Sequence, residues 1–385
     1  MHHQPAITDP TSTATTPGVP RLPVLNALTS VRFFAALHVA FYHLVRPFSQ
    51  WGLLTAAVAA GYSGVSFFFF LSGFILTYSH AAEYEAGRGN FKKFFIARFA
   101  RIYPIYLITM VIAGIVYAGQ FRSPVHIIAY VADLLLLQSW SMRMINFFNT
   151  NAWTLSCEAF FYLVFPFVLI ALRPSTRSRA VAWIALFFAL AMAGPLVCLK
   201  LYPVPSWSEA FTRAPGDSFI FTISRLPAFA LPEFLAGVSV GWLFLKFKPS
   251  TRIAAILGPV GVLALAVVLL FADRLPYIAL HNGLLVPIYA MIVLGLSQTN
   301  WLSRSLSNAP LILLGEASYA FYLIHSILNT VAQHLGVGET IPEAGIALPI
   351  IIGLSILMHL YLERPCRRYV LAWWAHRNPG QLRVQ

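Results

Sequence analysis

The sequence predicts an all-α polytopic membrane protein with about ten transmembrane helices and one short helix that does not cross. Two observations carry this. Hydrophobic residues fill 58% of the 385 positions and charged residues only 10%, with a mean hydropathy of +0.72. A soluble domain carries roughly 25% charged residues, so an ordinary globular fold is excluded. Apolar runs of about 20 residues, the length that spans a hydrocarbon core, recur from residue 30 to residue 362.

The apolar segments fall near 30–47, 61–80, 101–118, 125–138, 152–172, 180–199, 226–245, 253–271, 281–297, 310–334 and 345–362. The fourth, VHIIAYVADLLLLQ, contains Asp133. As a helix it would reach about 21 Å at 1.5 Å per residue, short of the ~30 Å core. Charge decides whether it crosses, because cytoplasmic loops are enriched in Lys and Arg. If it does not cross and the N-terminus is cytoplasmic, 18 basic residues lie inside and 7 outside. If it crosses, the split is 11 against 14. The first arrangement is expected, with ten crossings and both termini cytoplasmic.

Residues 1–24 are rich in Thr, Pro and Ala, lack periodicity, and are expected to form a disordered cytoplasmic tail. No basic stretch precedes a short apolar core and cleavage site, so the first helix is expected to act as an uncleaved insertion signal. Residues 25–370 form one membrane domain and 371–385 a second cytoplasmic tail. The outer loop 201–224 is too short for a core of its own, and no internal repeat is evident. Cys157, Cys198 and Cys366 are an odd, scattered set without ligand spacing, so neither a disulfide framework nor a metal site is expected. The net charge of +13 sits in short loops rather than on a basic face interleaved with aromatics, which argues against nucleic acid.

The stretch VRFFAALHVAFYH places Arg32 and His43 within a membrane helix. A charged arginine at mid-bilayer costs roughly 2.5–3.5 kcal/mol on insertion scales, so such residues usually face a protein interior. At about 100° per residue, the 11-position separation closes three turns plus about 20°, so both side chains share one face roughly 16 Å apart. His38 belongs to another face. The pair could span a ligand with an anionic end and a reactive end. Alternatively, Arg32 snorkels to the lipid surface and His43 bonds a neighbouring helix.

LTSVRFFAALHVAFYH resembles the first helix of the acyltransferase 3 family, with its basic residue and histidine separated by ten others. GVSFFFFLSGFILT at 64–77, FFIARFARIYPIY at 94–106, WTLSCEAFFYLVFP at 153–166, LGEASYAFYLIHSIL at 314–328 and LERPCR at 362–367 resemble later motifs in family order. The resemblance covers about residues 25–370. Ser66 departs from it, because many members carry an acid there; the acid's role is then unfilled or met by another group. Thr154 replaces serine.

The resemblance implies transfer of an acyl group, commonly acetyl, from cytoplasmic acyl-CoA to a hydroxyl of a glycan or other cell-envelope molecule. It implies residence in a bacterial inner membrane and no bound cofactor beyond the acyl-CoA donor. A lipid-linked sugar is one candidate acceptor, and polysaccharide-assembly proteins are candidate partners. An alcohol is a poor nucleophile at neutral pH, so the transfer needs a base, and histidine is the usual choice. His43 is the candidate, as base or as transient acyl carrier. Arg32, Arg98 and Arg101 are candidates for the donor's phosphates, since guanidinium presents fork-shaped donors. Arg98 and Arg101, three positions apart, share a face if helical, although an ordinary positive-inside flank reads the same way. Glu158 is expected to orient His43 or the acceptor hydroxyl, or else to bond another helix.

Trp153 is either an interfacial anchor or a platform for a sugar ring. Tyr319, Tyr322 and His325 lie on one crossing helix. His325 is a second candidate for the site or a satisfied core histidine, and Glu363 is expected to pair with a cytoplasmic arginine. The competing functions are a transporter or flippase of polysaccharide precursors, which would line a path with the same residue types, and a structural subunit of an export complex.

Overall fold

The computed structural model describes residues 22–44, 54–145, 147–202, 216–334 and 341–378. Most of the two expected tails therefore lies outside the described residues. Among those described, every regular element is helical and ten segments are long and apolar enough to cross a membrane.

Helix α1 spans Asn26–Leu44. α2 (Leu54–Ala59) and α3 (Gly64–Glu85) form one span interrupted by a 3₁₀ turn at Ala60–Ser63. α4 (Phe91–Val116), α6 (Trp153–Ala171) and α7 (Arg177–Leu201) follow, with the short α5 (Pro124–Leu134) between the first two. α8 (Gly216–Ile223) leads into α9 (Pro227–Lys246) and α10 (Thr251–Leu270). α11 (Tyr277–His281) and α12 (Val286–Leu296) make a second broken span. After α13 (Trp301–Ser305) come α14 (Ala309–His334) and α15 (Ile341–Met358). A π-helical turn, His359–Glu363, then leads into α16 (Arg364–Arg377), so helix continues past residue 370, where the membrane domain was expected to end.

α5 has 11 residues and is not among the crossing segments, as the charge balance expects. Tyr103 and Tyr106 of α4 donate their hydroxyls to the carbonyls of Leu134 (3.1 Å) and Asp133 (2.6 Å), which ties the end of α5 to the bundle. The span Thr251–Leu270 has only 17% of its apolar window buried, whereas Leu54–Glu85 and Tyr277–Leu296 each have 72% buried. The first faces outward and the broken spans form the centre.

Lipid supplies no driving force for apolar side chains to gather, so membrane helices associate through close packing and hydrogen bonds. α3 and α9 approach so closely that a Cβ on Gly237 would lie 2.0 Å from the Phe70 carbonyl oxygen, and one on Gly73 2.1 Å from that of Phe234. α1 and α14 meet in the same way, with Gly315 against the Thr29 carbonyl. At one end of the bundle Glu85 receives Arg173 at 2.7 Å and Lys246 at 2.5 Å. Asn282–Leu285, between α11 and α12, leaves backbone groups without helical partners inside a span. They must be satisfied internally, and the Gly283 N–H donates to Glu233 Oε1 at 2.6 Å. Gly283 sits at φ +95°, a region that favours glycine.

Two outcomes follow. Gly237→Ala must push apart two backbones and should cost about 1–3 kcal/mol or more, whereas Gly353→Ala, with nothing within 4 Å of its added Cβ, should be near neutral; thermal unfolding in detergent distinguishes them. Burial pushes the Asp133 carboxyl up to about 8 from an ordinary 3.8. The stability it leaves intact below the ordinary carboxylate range is therefore lost as pH rises toward 8. Asp133→Asn should raise the melting temperature over wild type more at pH 8 than at pH 5.

Candidate active site

Polar side chains in the bundle interior gather at two levels along α1. At its last turn, His43 Nδ1 lies 3.0 Å from His325 Nε2, and the two rings stack with centroids 5.2 Å apart at 28°. Asn329, one turn beyond His325 on α14, donates to the His43 carbonyl at 3.1 Å and fixes the end of α1. His325 is completely buried, and its Nδ1 meets the Phe321 carbonyl at 3.1 Å. The loop before α6 closes over this pair. Asn151 Nδ2 lies 3.1 Å from His325 Nε2 and donates to the Tyr322 carbonyl at the same distance, while Asn149 donates to the Leu323 carbonyl. Both sequence candidates for the histidine role thus belong to one cluster.

The second level lies nearer the start of α1. Arg32, Glu158, Thr154, Ser318, Tyr319 and Tyr322 are among the residues lining a small cavity of about 50 Å³. Arg32 also lines a larger cavity of about 200 Å³, with Arg101, Arg364, Arg367, Glu316, His359 and Glu363. Arg98 and Arg101 lie on helical α4 as their spacing expects, and the Arg98 guanidinium sits 6.0 Å from the Phe94 ring. Tyr319 donates to the Ile102 carbonyl at 2.8 Å and holds α14 against α4. The two cavities share Arg32 as a lining residue, and the smaller one reaches Tyr322, whose ring lies 5.9 Å from that of His325.

Glu158 is placed differently from the expectation. It accepts from the Tyr162 hydroxyl at 3.0 Å and lies in the field of Arg101, Arg32 and Arg98, not against His43. One helical turn separates these levels on α6: Thr154 bonds the Asn151 carbonyl beside the histidines, and Glu158 faces the arginines. Trp153 is 3% exposed, with His281 stacked at 5.6 Å, the Arg225 guanidinium at 5.4 Å and Phe69 edge-on at 5.8 Å. It is a packed wall, so neither an interfacial belt position nor an open ring platform describes it. Glu363 bonds His359 Nδ1 at 2.9 Å rather than an arginine. The arginine contact falls to Glu316, which pairs with Arg364, and Arg364 Nε donates to His359 Nε2 at 3.0 Å.

Sequence reading missed Asn151, Glu233, Glu316 and His359. Glu233 is the carboxylate that meets Ser66. The Ser66 hydroxyl donates to Glu233 Oε1 in a short bond, so α9 brings a carboxylate to where α3 carries only a hydroxyl. Glu233 is fully buried. A carboxylate inside an apolar span was the available signal; its partner was not legible.

The acyltransferase domain model of the acyltransferase 3 family matches residues 25–360, and the chain belongs to this family. It is 30% identical over 379 residues to the acyltransferase MdmB of Streptomyces mycarofaciens, covering 91% of this chain and 93% of that one. It is 23% identical over 367 residues to the O-acetyltransferase OatA of Staphylococcus aureus, covering 89% of this chain but only 57% of that one. No solved structure matches. The protein is an integral membrane acyltransferase, and its relatives support O-acyl transfer.

Ser66→Asp should set a second carboxylate against Glu233 and lower thermal stability, by about 1–3 kcal/mol for a buried polar group left unsatisfied. Adding Glu233→Gln should restore most of it. Additive losses in the double variant would show that the two positions do not share one acid.

Proposed function

We propose that the protein moves an acyl group, acetyl in the first instance, from cytoplasmic acyl-CoA to a hydroxyl of an exported glycan or other cell-envelope molecule, in a bacterial inner membrane. The observation that carries this is the pair of cavities that share Arg32, the larger lined by arginines and the smaller by Tyr322, which packs against His325 of the His43–His325 pair. The excess of basic residues on the Arg101–Arg364 side supports a cytoplasmic mouth.

Arg32, Arg101, Arg364 and Arg367 line the larger cavity and offer the fork-shaped donors that phosphates require. Arg98, one turn before Arg101, adds to the positive field. With the donor's phosphates there, an extended pantetheine arm would run past Arg32 and Tyr319 toward the histidines. Glu158 lines the smaller cavity beside Arg32 and faces the arginines. At the thioester, the acceptor oxygen attacks the carbonyl carbon and its proton passes to His43. The carbon–sulfur bond breaks, and the proton then goes to the departing sulfur.

Purified protein in lipid should release thiol from acetyl-CoA in the presence of acceptor. His43→Ala should reduce that release by about 100-fold or more, the scale of general acid–base catalysis. Arg101→Ala should raise the KM for donor with a smaller effect on kcat. Undiminished release by a folded His43→Ala protein would remove the histidine from the mechanism.

A further inference from the structure

We infer that Asn151 and His325 are positioning residues that fix the tautomer of His43, placing its proton on Nδ1 and its lone pair on Nε2. The inference rests on the reading of His43 as the base, and deepens it.

The assignment follows from which atoms can donate. Asn151 Nδ2 donates to the Tyr322 carbonyl at 3.1 Å, an oxygen that can only accept, which sets the orientation of the amide. The same nitrogen lies 3.1 Å from His325 Nε2, so that ring nitrogen must accept. A neutral histidine that accepts at Nε2 carries its proton on Nδ1. His325 Nδ1 faces the Phe321 carbonyl at 3.1 Å, where a donor is required. Two carbonyls therefore fix the amide and the imidazole independently, and the two assignments agree.

His43 Nδ1 lies 3.0 Å from the same nitrogen, where two facing lone pairs would repel, so His43 Nδ1 carries a proton and shares the one lone pair of His325 Nε2 with the Asn151 N–H. The lone pair of His43 is left on Nε2, the nitrogen that takes the hydroxyl proton when the acceptor oxygen bonds to the thioester carbon and returns it when the carbon–sulfur bond breaks. His325 here does what a carboxylate does in a Ser–His–Asp triad, holding one tautomer in one orientation, but with a neutral acceptor. Neutrality suits the place, because a carboxylate buried there would need its own counter-charge.

Asn151→Asp tests this. Aspartate is nearly isosteric with asparagine but can only accept, so it draws a proton onto His325 Nε2. His43 Nδ1 then meets a donor, and the proton of His43 moves to Nε2. With acetyl-CoA and a hydroxyl acceptor, kcat should fall by about 100-fold or more, as for a wrong-tautomer triad, while the KM for donor changes less than about threefold. Asn151→Ala leaves His325 held by Phe321 and should lose less than Asn151→Asp. The order is read together with the histidine NMR, because aspartate also buries a charge against the Tyr322 carbonyl. An Asn151→Asp spectrum that keeps the proton on His43 Nδ1 would assign its loss to structure and overturn the inference.

¹⁵N NMR of histidine-labelled wild type in lipid, with His43→Gln and His325→Gln spectra for assignment, reads the tautomer without any turnover. The result expected is protonated Nδ1 on both rings. A proton on His43 Nε2 in the wild type, or Asn151→Ala at least as impaired in kcat as Asn151→Asp, would overturn the inference. The expected spectrum from a protein that releases no thiol would leave the tautomer standing and sink the acyl-CoA reading instead.

Discussion

Hydrocarbon offers no hydrogen bonds, and the rest of this structure depends on that constraint. Each polar group carried into the membrane has to find its partner within the bundle. Arg32, His43, Glu158 and His325 consequently meet in the bundle interior beside α1, and Glu233 finds Ser66 and Gly283 between α3, α9 and the broken span. Where the chain breaks its own helix, at Asn282–Leu285, a carboxylate from α9 reaches across to the freed Gly283 N–H. Where α6 begins, asparagines of the preceding loop bond the backbone of α14. The interior polar contacts are in this sense a by-product of solvation.

The division of the contacts beside α1 is chemically sensible. At one level arginines dominate, with Glu158 and Tyr162 among them; at the other, an imidazole and an amide are held by carbonyl groups. In the proposed reaction an anionic donor would be attracted to a mouth distinct from the place where a proton must change hands. A base beside the arginines would be weakened, because their positive charge disfavours the imidazolium it becomes on taking up a proton.

Much of this was legible in the residues. Apolar run lengths located nearly every span, and the charge balance separated α5 from the crossing helices. Helical spacing put Arg32 and His43 on one face, and Arg98 with Arg101 on another helix. These are properties of single helices, fixed by 3.6 residues per turn. What escaped was every contact between helices. Asn151 sits in a loop with no periodicity, and nothing near it in sequence points to a histidine 174 positions away. Glu158 lies one turn from Thr154, which touches the histidine level, and that single turn decides which level its carboxylate serves.

The short bond between Ser66 and Glu233 has a consequence for how disturbance spreads through the bundle. The same carboxylate oxygen takes the Gly283 N–H, so one atom of α9 ties α3 to the break between α11 and α12. A change at position 66 is therefore felt at that break as well as at the α3–α9 contact, and three spans respond to one side chain as a unit.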